Sequence, residues 1–146
     1  MKVDTSGLRL LKKKLKKAKV KVGLPKGSDN YKDGTSVIEV GAIHEFGSPS
    51  KKIPERSFIR STINEQKETY SKIAQSQGIL IINGKQSLSK ALEHIGIWGQ
   101  REIQKKFTNN DWAKNSLLTI KSKGSSKPLI DTGHLRQSIT WSVDND

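Results

Sequence analysis

At 146 residues, with 32% hydrophobic and 28% charged side chains, the chain can form one domain with a modest core and is too short for two of ordinary size. The absence of cysteine excludes disulfides and thiolate metal sites and fits a reducing cytoplasm, and no apolar run approaches the roughly 20 residues that span a bilayer. The basic N-terminus lacks the apolar stretch of a signal peptide, so a soluble, unexported protein is expected.

The formal charge of +13 is unevenly spread: residues 1–32 hold eleven Lys or Arg and only two acids, Asp4 and Asp29. Such a cluster attracts polyanions, and its pull on duplex DNA would be blind to sequence and would fall steeply with salt. A solvated, lysine-rich helix face explains the same residues equally well. Aromatic residues make up only 5% of the chain and none lies within the lysine run, which argues against a single-strand binder that stacks bases.

Leu8, Leu11, Leu15 and Ala18 recur at spacings of three and four, which predicts a basic helix over about 6–18 with one apolar stripe, started by Ser6 or Gly7. At Lys19 the period changes. Val20, Val22 and Leu24 alternate with Lys19, Lys21 and Gly23, predicting a strand that Pro25 ends. Residues 25–35, with the polar run Gly27 to Gly34, read as a mobile loop, a hairpin or an interface arm. Ser36 and Glu39 form a capping box ahead of a short helix, Val37 to Phe46, closed by Gly47.

Pro54 suits a first helical position, and a long helix is predicted from about Glu55 to Gln77 with Phe58, Ile59, Ile63, Tyr70 and Ile73 buried and Gly78 stopping it. Ile79 to Ile82 could be strand or helical turn, ended by Asn83-Gly84. A further helix fits Ser87 to Phe107, where Gly96 and Gly99 suggest close approach by another backbone. Beyond Trp112 to Ile120, an ordered connection, residues 121–128 read as an exposed loop. Asp131 or Thr132 can cap a short helix through Ser138, and Ile139 to Val143 reads as a final strand.

No catalytic motif is complete. His44-Glu45 opens like the zinc-protease helix motif, but position 48 is Ser48, so the second histidine is missing. His44 reads as a partly buried helix residue, and His94 and His134 as surface positions. Asp131-Thr132-Gly133 matches the aspartic-protease triplet, whose chemistry needs two carboxylates sharing a proton; a helix cap explains it fully. Neither a metal nor a cofactor is expected.

The segments IHEFG at Ile43 to Gly47, IPERSFIR at Ile53 to Arg60, Trp112 with Thr119, and KGSSKPLIDTGHLRQSI at Lys123 to Ile139 together resemble the neck and tail-completion proteins of tailed phages, the virion morphogenesis family of Mu-like phages and prophages. The likeness spans roughly residues 20 to 143. Ile53, Pro54, Arg56, Phe58 and Arg60 keep the family's pattern, while Glu55 and Ser57 depart from its commonest form. The resemblance implies an α+β fold, a small antiparallel or mixed sheet packed against two longer helices with extended loops, in a subunit without catalysis. It implies a hexameric ring, built by sixfold copying, at the neck of the virion between head and tail. Its partners would be a portal-side adaptor or head-closure protein, a tail terminator or tail tube, and packaged double-stranded DNA.

Within that reading, Lys12, Lys13, Lys16, Lys17, Lys19 and Lys21 are candidates to face DNA or an acidic partner. Pro54, Arg56, Phe58, Arg60, Lys123, Lys127, Asp131, Thr132, Gly133 and Arg136 are candidates for structure and assembly. A basic nucleic-acid-binding regulatory protein is the alternative, and a metal-dependent hydrolase a more distant third.

Overall fold

The structure, a computed structural model, describes residues 6–109, 112 and 133–144. Among these it is a mixed α+β arrangement of six helices and one two-stranded antiparallel sheet. In chain order the elements are α1 (Ser6–Lys17), β1 (Lys19–Gly23), α2 (Val37–Phe46), α3 (Arg60–Glu65), α4 (Lys67–Ile82), α5 (Leu88–Lys106), α6 (His134–Gln137) and β2 (Thr140–Asp144).

The two strands lie at opposite ends of the sequence, and their pairing ties those ends together. Val20 stands opposite Val143 and Val22 opposite Trp141. Because side chains alternate across a strand, these apolar pairs share a face and turn it to α5, which packs on both strands. Contact is so close there that a Cβ on Gly96 would lie 2.6 Å from the Trp141 ring, and one on Gly99 would meet the Tyr70 hydroxyl at 2.5 Å and Val22 at 3.2 Å. The close approach predicted at these glycines therefore comes from side chains, one of them a tryptophan ring, and not from a backbone.

The core is a cluster of Val37, Phe58, Ile103, Phe107, Leu135 and Ile139, with Val22, Leu24, Tyr31, Val40, Ile59 and Trp112 packed around it. Phe58 and Phe107 meet with ring centroids 4.9 Å apart, and Trp112 stands edge-on to Phe107 at 6.1 Å. Ser36 caps α2, its hydroxyl accepting the Glu39 amide at 3.4 Å, and Gly47 ends the helix at φ 73°. Ser87 caps α5 by accepting the Lys90 amide at 3.3 Å.

Several expectations are corrected. The long helix from Glu55 is two helices with a break at Gln66, and Pro54 lies in the non-helical stretch before α3 instead of at a first helical position. Gly78 does not stop α4, which runs on through Ile79 to Ile82 until Asn83; a single internal glycine weakens a helix by about 1 kcal/mol and does not forbid it. Ile63 is exposed, not buried. The segment from Gly27 to Gly34 is no hairpin of strands: the Tyr31 amide donates to Thr35 at 2.9 Å, and the Tyr31 ring packs on the core and edge-on against His134 at 4.9 Å. His134 is accordingly half-buried, with Nε2 2.8 Å from the Asp29 carbonyl, and only His94 of the two expected surface histidines is exposed.

Candidate assembly surfaces

Two sets of residues have features beyond those of an ordinary core or surface. The first is the junction where α2 ends and α3 begins. Val37, Gly41 and Glu45 recur every four residues, so all three point inward from α2. Glu45 is only 5% exposed, yet it carries a carboxylate into the protein. A buried carboxylate is tolerated only if its lone pairs are filled, and here they are. Oε2 accepts the amides of Phe58 at 2.8 Å and Ile59 at 2.9 Å. Oε1 accepts the Ser57 hydroxyl at 2.8 Å, the Arg60 amide at 2.9 Å and the Arg60 Nε at 3.1 Å.

These amides belong to the start of α3, whose first N–H groups have no partner within the helix and whose dipole favours a negative charge. Glu45 thus caps α3 from another helix. Burial pushes its carboxyl toward protonation, but the amides of Ile59 and Arg60, the Ser57 hydroxyl and the Phe58 amide together outweigh burial and hold it below the usual glutamate range. Arg60 reaches back across α2: its Nη2 donates to the Glu45 carbonyl at 2.9 Å and to Glu55 at 2.8 Å, and its guanidinium lies 4.7 Å above the exposed Phe46 ring. Arg56 is 7% exposed, its amide donates to the His44 carbonyl at 2.8 Å, and burial lowers its guanidinium from the usual arginine value.

The candidates of the IPERSFIR stretch therefore converge. Phe58 and Arg60 meet at Glu45 and Arg56 bonds the neighbouring His44 carbonyl, whereas Pro54 is exposed. Glu45 itself is the functional residue that motif reasoning missed, having considered it only beside His44 as part of a metal motif. Its spacing from Val37 and Gly41 was the available signal, since a glutamate in phase with the buried face of an apolar helix must find donors.

The second set is the basic N-terminal region. Lys12, Lys13, Lys16, Lys17, Lys19 and Lys21 are all exposed. Lys21 differs from the others in pairing with Asp144 across the sheet. Six of the twelve residues of α1 are Lys or Arg and none is acidic, while Leu10 and Leu15 remain 57% and 45% exposed. α1 shares no substantial packing with any other described helix or strand. Beside β1 lies a groove of about 320 Å³ lined by Val22, Leu24, Pro25 and Trp141 together with Lys21 and Lys26.

At the other end of the chain, Gly133 adopts φ 72° and leads into α6. Arg136 is exposed, and its carbonyl accepts from the Gln104 side chain at 3.2 Å. Lys123, Lys127, Asp131 and Thr132, and with them the capping expectation and the 121–128 loop, lie outside the described residues. Among the described residues no group of three or more His, Asp or Glu is placed to hold a metal ion, and no helix is long and apolar enough to cross a membrane. No family model, no curated protein and no solved structure matches the chain.

Proposed function

We propose that the chain is a structural subunit of a phage neck, a tail-completion or head–tail connector protein that works through the surfaces it offers to copies of itself and to neighbouring virion proteins, with no bond made or broken. One observation carries this reading: the charge is concentrated on α1, whose described side chains are exposed and which shares no substantial packing with any other described helix or strand. A helix of about 18 Å that is half basic and exposes Leu10 and Leu15 is a surface awaiting something outside the monomer. The resemblance of the Ile43–Gly47, Ile53–Arg60 and Lys123–Ile139 segments to neck proteins supplies the setting, in which Lys13 and Lys17 face DNA in the channel or an acidic neighbour. Ring copying multiplies the charge of +13, while each contact with phosphate would be weak and blind to sequence, as passage of DNA requires.

The experiment is charge reversal, Lys13→Glu, Lys16→Glu and Lys17→Glu together, in particles assembled from the altered subunit. The reading expects heads and tails that fail to join or DNA that ejects abnormally; normal joining and ejection would refute it. The lysine density of α1 also favours the second reading, a basic nucleic-acid-binding regulator. Sub-micromolar binding of random duplex DNA by the isolated monomer, weakening steeply with salt, would favour the regulator, and feeble binding the connector.

A further inference from the structure

α2 is apolar on nearly every side, the pattern of a helix buried all round, yet one of its faces is bare. About 100° around the helix from the inward residues Val37, Gly41 and Glu45, the positions Ile38, Ala42 and Phe46 repeat at the same spacing of four and are all exposed, Phe46 by 62%. These three span about 12 Å along the helix. Along the sequence from Asp33 to Ser50 there is no Lys or Arg, and the carboxylates that face water are Asp33 and Glu39, since Glu45 is buried and paired. Arg60 stacks on the Phe46 ring, with its charge taken up by Glu45 and Glu55. Asp33 and Glu39 are exposed, and Asp33 is held ionised by the amide and hydroxyl of Thr35.

α1 is the complement of this face. It offers the exposed Leu15 and flanks it with Lys12 one turn earlier and Lys16 beside it. We propose that the Ile38, Ala42 and Phe46 face of α2 is the seat for α1 of a second copy of this chain. Leu15 lies against Ala42 between Ile38 and Phe46, and Lys12 and Lys16 meet Glu39 and Asp33. Different surfaces meet on the two copies, so the contact repeats head to tail and closes into a ring if its rotation allows. Lys13 and Lys17 lie on the far side of α1 from Leu15 and stay free for a polyanion. This inference rests on the self-assembling reading above and adds which faces meet.

Because the chain has no cysteine, single cysteines report the contact cleanly. Leu15→Cys and Ala42→Cys, both at exposed positions, are made in separate full-length chains, mixed, and treated with a short bis-maleimide while the native mass is measured in parallel. The expected product is the mixed dimer, about tenfold in excess of either like-with-like dimer, as a preference of about 1.4 kcal/mol gives. Glu39→Lys on the Ala42→Cys chain should cut that yield about tenfold, and Lys12→Glu alone on the Leu15→Cys chain should restore it.

An assembled mass without the mixed dimer would overturn the α1–α2 contact and leave the ring reading standing. A wild-type chain that stays monomeric at every concentration would overturn both. Cross-linking only within one chain carrying both cysteines would overturn the proposal, as would protection of Leu15→Cys that appears solely on adding duplex DNA or phosphatidylserine vesicles.

Discussion

The α2–α3 junction and α1 are both charged, both helical and close in size, yet they are specified in opposite ways. Around Glu45 every carboxylate lone pair is met by a donor brought from 12 to 15 residues away, so the arrangement has one solution. In α1 the described charges face water and Leu10 and Leu15 are exposed, so the helix is defined by its period alone. The contrast separates residues that hold the domain together from residues that are available to partners. Mutations should divide along the same line, large effects on stability at the junction and almost none at α1.

The largest effect is expected at Glu45. Glu45→Ala leaves the amides of Phe58, Ile59 and Arg60 without their acceptor inside the protein, and should cost about 3–5 kcal/mol in urea unfolding, since breaking a buried charged network leaves its partners uncompensated. A loss below about 1 kcal/mol would mean that the junction does not organise α3. The same residue makes stability depend on pH. Its folded pKa is depressed below the unfolded value of about 4.3, so its contribution is fully present above that value and is lost as pH falls through the lower folded one. Unfolding free energy of the wild type should therefore drop below about pH 4 more steeply than that of Glu45→Gln.

Next come two glycines that look alike in sequence. Gly96→Ala pushes a methyl into the Trp141 ring and should destabilise by about 1–3 kcal/mol. Gly78→Ala has open space and a helical backbone, and should stabilise by about 0.5–1 kcal/mol. Thermal unfolding of the two variants gives opposite shifts if the packing of α5 on β2 is as described. Loss of the Ser36 or Ser87 cap should cost about 1 kcal/mol each. Smallest of all, reversing Lys13, Lys16 and Lys17 should leave stability within about 0.5 kcal/mol while weakening attraction to polyanions.

How much of this was legible in the sequence follows the same division. α1, β1, α2, α5 and the final strand were readable because leucine and valine spacing, Ser36, Ser87, Pro25 and Gly47 are local signals. The stretch from Ile53 to Ile59 was not, because a carboxylate on another helix fixes it, and helical spacing from Phe58 to Ile73 mimicked one continuous helix. Gly78 reads locally as a stop, yet one internal glycine does not end α4. Each strand was visible alone, but nothing local tells Val22 that its cross-strand partner is Trp141, more than a hundred residues on. Of the candidate site, the exposed lysines were plain from composition, whereas the bare face of α2 became visible only when Val37, Gly41 and Glu45 were seen to take the inner side.

The most direct test of the account is the mass of the full-length chain in solution across a wide concentration range, alone and with its head-side and tail-side neighbours. The account predicts a discrete multimer, a closed ring, that forms with the wild type and is lost when α1 is reversed in charge while the domain stays folded. A chain that remains a monomer in every mixture, or a multimer indifferent to α1, would contradict it.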